Sequence, residues 1–138
     1  ASPDTTWRLT DSRRTPEDTL ARVQAAGLAN LAIHPHADTR PGWLEAALAE
    51  SAQVWVSPDS VSMVYESLTS GAATGLLELA ATRPGRVSSG IERLISEHWL
   101  TPYSAWRRSR RLAPPAAPLA EADRCAGLIL ERWFPGRA

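Results

Sequence analysis

The sequence has no lysine, a single cysteine, no excess of either charge and no long apolar run. One cysteine, Cys125, excludes a disulfide framework within the chain. The 15 arginines balance 15 acidic side chains, which removes the simplest argument for nucleic acid as a partner, an excess of clustered cations. No segment approaches the roughly 20 uninterrupted apolar residues that span a bilayer, and Ala1-Ser2-Pro3-Asp4-Thr5-Thr6 lacks the charged and apolar regions of a signal peptide. The expected location is therefore cytoplasmic, with peripheral contact with a membrane left open. What is present is a chain of 138 residues, 43% hydrophobic, long enough to bury about two thirds of its unfolded surface without staples. It is expected to form one domain over residues 1–138. The richness in Arg and Ala is as well explained by GC-rich coding as by function.

Short β-favouring runs alternate with helical periodicities. Residues 6–10 read as a strand ending in Asp11-Ser12-Arg13-Arg14. Thr15 offers a cap, Pro16 suits a first helical position, and Leu20, Val23 and Ala26 mark a helix that Gly27 stops. Residues 28–33 read as an interior strand, followed by His34-Pro35-His36 and a loop over 37–41. Leu44, Ala47, Leu48 and Ser51 mark a second helix. Residues 53–56 read as a strand, Ser57-Pro58-Asp59 as a turn, and Val61, Val64, Tyr65 and Leu68 as the apolar stripe of a third helix closed by Gly71. A fourth strand over 72–77, a turn at Arg83-Pro84-Gly85 and a helix carrying Ile91, Leu94 and Ile95 follow. Residues 99–106 admit a short strand or a loop, and 107–118 read as an irregular Arg- and Pro-rich connector. Ala122, Cys125, Ala126, Ile129 and Trp133 predict the buried stripe of a last helix, ended by Phe134-Pro135-Gly136. Alternation at this spacing predicts a Rossmann-like α/β domain, a mostly parallel sheet with helices on both faces.

In such sheets ligands gather beyond the carboxyl ends of the strands, at helix N-termini. Two loops are equipped for anions. Ser12, Arg13, Arg14 and Thr15 bring hydroxyls and two guanidinium groups before a helix start, a cradle suited to a diphosphate. Capping accounts for Thr15 and leaves the paired arginines unexplained. In Ser57-Pro58-Asp59-Ser60-Val61-Ser62-Met63-Val64-Tyr65-Glu66, the residues Asp59, Ser62 and Glu66 share a face opposite the apolar stripe. Hydroxyls there would meet a phosphate, Glu66 would accept hydrogen bonds from ribose hydroxyls, and Asp59 would cap the helix or orient a neighbour. The bland alternative is an amphipathic helix with a polar outer face.

Ser57, Ser60, Ser62 and Glu66 together resemble the donor-binding half of GT-B glycosyltransferases, in which a strand enters a serine- or glycine-rich turn and a glutamate follows on the helix. Ser12-Arg13-Arg14-Thr15-Pro16 combined with Asp59-Ser60-Val61-Ser62-Met63 is similar to the plant mitochondrial-fission (elongated mitochondria) protein family and its bacterial relatives, across residues 7–133. That resemblance implies the carboxyl-terminal half of a GT-B-like protein. Ser12, Arg13, Arg14, Thr15, Ser60 and Ser62 would hold the diphosphate of a nucleotide sugar and Glu66 its ribose, with no metal and no cofactor. GT-B enzymes work in a cleft between two domains, so a missing amino-terminal domain is an implied partner and the isolated chain is expected to be inactive. The catalytic base is not assigned. A nucleoside-diphosphate-sugar epimerase is disfavoured, since GxGxxG and a Tyr-x-x-x-Lys pair are both absent. The alternative implied by the plant relatives' part in organelle division is a non-enzymatic module that recruits a protein partner.

Other signals weigh less. His34 and His36 alternate sides of an extended chain without a carboxylate or thiol at metal spacing, so their expected role is at most a ligand contact. Arg107-Arg108-Ser109-Arg110-Arg111 reads as a solvated connector, with docking to RNA, an anionic lipid surface or the missing domain as alternatives. Core burial accounts for most of the six tryptophans, least well for Trp99 and Trp106.

Overall fold

A computed structural model describes residues 4–79 and 86–134. The expected turn Arg83-Pro84-Gly85 and the terminator Pro135-Gly136 lie outside the described residues. The chain divides into two compact units, Ala1–Leu44 and Glu45–Ala138.

In the first unit, β1 (Trp7–Thr10) pairs in parallel with β2 (Leu31–His34), with Trp7 opposite Leu31 and Thr10 opposite His34. Asn30 sets this register: its side-chain amide donates to the Thr5 carbonyl at 2.7 Å, and its carbonyl accepts the Trp7 N–H at 2.8 Å. β2 starts later than the apolar run predicts because the Leu31 N–H turns back onto the Leu28 carbonyl at 3.2 Å, leaving Leu28 exposed. α1 (Thr19–Ala25) also starts late. Thr15 does not cap it: Thr15 Oγ1 accepts the Ser12 N–H at 2.9 Å and the Thr15 N–H donates to the Ser12 carbonyl at 2.9 Å, closing a separate turn. Gly27 ends the helical segment at φ +61°, a left-handed conformation that glycine adopts without steric cost. A short 3-10 turn, His36–Asp38, follows β2.

α2 (Trp43–Ala49) leads into the second unit, where β3 (Gln53–Val56), β4 (Ala73–Leu76) and β5 (Thr101–Pro102) form a parallel sheet in the order β3-β4-β5. Side chains alternate across a strand, so Val56 and Leu76 meet one layer. There they join Val64 and Leu68 of α3 (Val61–Thr69), Ile91 and Leu94 of α4 (Arg86–Ser96), Leu100 and Leu119 in one core. Val64 and Leu68 are fully buried, each worth roughly 1.5–3 kcal/mol. The third member of that helix face is Ser67, whose hydroxyl is satisfied by the Met63 carbonyl at 2.7 Å. Tyr65, predicted on the stripe, is exposed instead, because each helical residue turns about 100° and it falls on the flank of Val64.

The opposite sheet face is aromatic. The Trp55 indole lies so close over Gly75 that a Cβ there would overlap the atoms of its six-membered ring. Trp55 meets Tyr103 and Trp106 edge-on at centroid distances of 5.8 and 5.4 Å. Those two residues belong to α5 (Tyr103–Ser109), a helix in a segment whose sequence pattern indicates none. Tertiary contacts supply what local propensity does not: Glu78, just past β4, accepts the Ser104 N–H at 2.6 Å and its hydroxyl at 3.0 Å. Arg110 ends α5 at φ +56° and lays its guanidinium 4.8 Å from the Trp106 ring centre.

After the connector, the Leu119 N–H bonds the Leu68 carbonyl at 3.1 Å, and Pro118 lies against Gly71. α6 (Glu121–Trp133) then runs without a buried residue. Its predicted stripe is present but uncovered: Ile129 is 54% exposed, Trp133 68%, and Cys125 is also exposed. Periodicity identifies an amphipathic helix without stating what covers it. Parallel strands alternating with helices make the fold α/β and compatible with a Rossmann-like architecture, in two small sheets where one was expected. No helix among the described residues is long and apolar enough to cross a membrane.

Candidate functional site

The site in the second unit begins where β3 stops. Ser57 turns the chain, its carbonyl accepting the Ser60 N–H at 3.3 Å, and Ser60 takes the N-cap position of α3. The Ser60 hydroxyl makes no capping bond. The first-turn N–H groups of α3 therefore lack the usual side-chain acceptor and carry the partial positive charge of a helix start. Asp59 and Ser62 are exposed beside them. Glu66 lies one turn beyond Ser62, a rise of about 6 Å along the helix. It lines a groove of about 500 Å³ between α2 and α3, together with Glu45, Leu48, Tyr65 and Thr69. Two carboxylates on an apolar floor repel phosphate and accept hydrogen bonds from hydroxyl donors. The anion-ready helix start and the hydroxyl-ready groove are thus consecutive along α3.

In the first unit, the turn after β1 is built by its own hydroxyls. Ser12 Oγ accepts the Arg14 N–H at 3.2 Å and lies 3.4 Å from Thr15 Oγ1, which already accepts the Ser12 N–H. These bonds engage both hydroxyls in shaping the turn and leave the arginines as its ligand-ready groups. Arg13 and Arg14 are exposed, and neither guanidinium has an ion pair or hydrogen bond among the described residues.

A pair absent from the sequence reading stands beside this turn. Asp11 Oδ1 accepts the His36 main-chain N–H at 2.6 Å and contacts His36 Nδ1 at 3.0 Å. The main-chain N–H of His36, helped by its ring, holds the Asp11 carboxyl below its ordinary value against the opposing cost of desolvation. The signal was available in register: Thr10 faces His34 across two parallel strands, so the residues just after them emerge at one rim. His34 packs instead on Trp43, with ring centroids 5.1 Å apart. Among the described residues no cluster of His, Cys, Asp or Glu is arranged to hold a metal ion. The Arg13/Arg14 turn belongs to the first unit, and Ser60, Ser62 and Glu66 to the second.

A family model described as Mitochondrial fission ELM1 matches residues 1–133. The chain belongs to this family. No curated protein and no solved structure matches it. The match to the Mitochondrial fission ELM1 family takes in both loops and every residue of the two candidate sites, as well as the exposed face of α6. Arg107, Arg108, Arg110 and Arg111, also inside it, are exposed, with Arg110 set on Trp106.

Proposed function

We propose that the chain is a single nucleotide-sugar-binding domain, the donor half of a GT-B-like glycosyltransferase that holds the nucleoside-diphosphate part of its ligand. The observation that carries this reading is the start of α3, which lies at the carboxyl end of a parallel strand with its Ser60 hydroxyl unspent on capping. Phosphate oxygens would take the N–H groups and hydroxyls of Ser60 and Ser62 in the second unit; in the first unit Arg13 and Arg14, supported in part by Ser12 and Thr15, are the corresponding candidate diphosphate ligands. Glu66, in its groove, would take the ribose hydroxyls. Such a cradle stabilises the charge that builds on a nucleoside-diphosphate leaving group as the glycosidic bond breaks, without a metal. The acceptor and the base would come from an amino-terminal domain, so the chain alone binds without transferring.

Titration with UDP-, GDP-, ADP- and dTDP-sugars, followed by thermal stability and amide shifts, tests this. One of them should shift the amides of Arg13, Ser60 and Glu66, and Arg13→Ala should weaken binding roughly tenfold or more, the scale of a charge-assisted hydrogen bond. Flat responses to all four would end the proposal.

A second reading has its own observation. The apolar face of α6, with Leu128, Ile129, Leu130 and Trp133 all exposed, favours a non-enzymatic protein-interaction module of the fission family. In that reading Ile129→Glu abolishes capture of a partner while nucleotide sugars remain without effect.

A further inference from the structure

We infer that α5 and the arginines at its end form a docking surface for an anionic lipid bilayer, in which Arg107, Arg108, Arg110 and Arg111 meet the phosphate headgroups and Tyr103, Leu77 and Leu79 enter the interface beside them. The inference goes beyond the donor reading and does not depend on it. The charge is local. From His98 to Ala120 the chain holds four arginines and no Asp or Glu, so a zero formal charge overall accompanies a patch of one sign. All four arginines are exposed, and none pairs with a carboxylate among the described residues. A guanidinium keeps its charge across the physiological pH range. One acid, Glu78, touches α5 at its first turn, where Ser104 occupies its two oxygens through an N–H at 2.6 Å and a hydroxyl at 3.0 Å. Four positive charges therefore stand against one engaged carboxylate.

The apolar part of the surface adjoins the cations. Leu77, Leu79 and Tyr103 are 39%, 57% and 41% exposed. Leu76 pairs with Pro102, so Leu77 and Tyr103 emerge side by side past the ends of β4 and β5, on neighbouring strands about 4.8 Å apart. Leu79 lies just beyond Glu78, whose bonds to Ser104 hold this stretch against α5. From there the contacts run along the helix: Tyr103 stacks on Trp106 at 5.6 Å, and the Arg110 guanidinium lies 4.8 Å from the Trp106 ring centre. Trp55 backs both rings from the sheet, so the platform is rigid. Tyr and Trp settle at the level of lipid headgroups because each joins an apolar body to a polar tip. Exposed apolar side chains beside clustered arginines bind an anionic bilayer because apolar burial and headgroup attraction add. A single-stranded nucleic acid fits less well. It needs open aromatic faces, whereas Trp106 is engaged by Trp55, Tyr103 and Arg110, and two of the three exposed apolar residues are leucines.

The test is co-sedimentation of the 138-residue chain with vesicles of phosphatidylcholine alone or of phosphatidylcholine containing about one third phosphatidylglycerol, an anionic content that gives the surface a negative potential. The chain should bind the anionic vesicles, bind the neutral ones far more weakly, and leave the anionic ones as salt is raised. Arg107→Gln/Arg108→Gln/Arg111→Gln spares Arg110 on Trp106 and changes exposed positions alone. At roughly fivefold for each cation near the surface, it should weaken anionic partition about a hundredfold while keeping the wild-type urea midpoint. Leu79→Ser should weaken partition several-fold and leave the salt dependence unchanged. Three results overturn the inference: no binding to anionic vesicles, equal binding to both compositions, or wild-type partition by the triple arginine variant, which would place the contact on another apolar surface such as α6. A chain that ignores the vesicles but binds a single-stranded oligonucleotide through the same arginines overturns it as well and assigns the patch to nucleic acid.

Discussion

At the scale of single residues, the tightest constraint is Gly75 beneath Trp55. The indole occupies the volume a side chain would need, so the glycine is there for space and its backbone conformation is secondary. Gly75→Ala should cost about 1–3 kcal/mol in urea denaturation, the usual penalty for overfilling a packed site, whereas Gly90→Ala, in open space inside α4, should stabilise by up to about 1 kcal/mol. Asp11 makes a different prediction. Its folded pKa is lowered, chiefly by the His36 main-chain N–H, so it contributes stability above the carboxylate's unfolded value. That contribution disappears as pH falls from about 4 through the folded value. Stability curves of wild type and Asp11→Asn should therefore converge on acidification, and parallel curves would show that the pair carries no linkage.

At the scale of elements, the structure divides them by what their periodicity could reveal. β3 lies where its β-favouring run places it, and Gly27 and Gly71 both turn the chain at positive φ after helices, because these signals are local. α5 was illegible because its causes lie far along the chain: Glu78 acts on Ser104, and Trp55 meets Trp106. The Asp11–His36 contact was hidden for the same reason, since it needs the register of two strands. α6 shows the converse limit. Its spacing predicts the helix and not its exposure, because an apolar stripe states only that something can cover it. The energetic contrast is measurable. Leu68→Ala, at a fully buried position of α3, should destabilise by about 2–5 kcal/mol. Trp133→Ala, despite the larger side chain, should stay within about 0.5 kcal/mol in the same assay.

At the scale of the molecule, a zero formal charge combines with an exposed apolar helix. Neither feature opposes self-association near neutral pH, since repulsion between like-charged molecules is what usually limits contact between apolar patches. The double variant Ile129→Glu/Trp133→Glu should keep the wild-type urea midpoint and lower concentration-dependent light scattering; unchanged scattering would clear α6 of the effect. The attachment of Leu119 to the end of α3 bears on how the protein can be handled. Among the described residues beyond α5, Leu119 is the one that joins the buried core, with Pro118 against Gly71, so the segment beginning at Glu121 is a natural place to graft. A fluorescent reporter or a tether joined there should leave the interior intact, whereas a cut that removes Leu119 would uncover the α3 terminus and take away one buried core side chain.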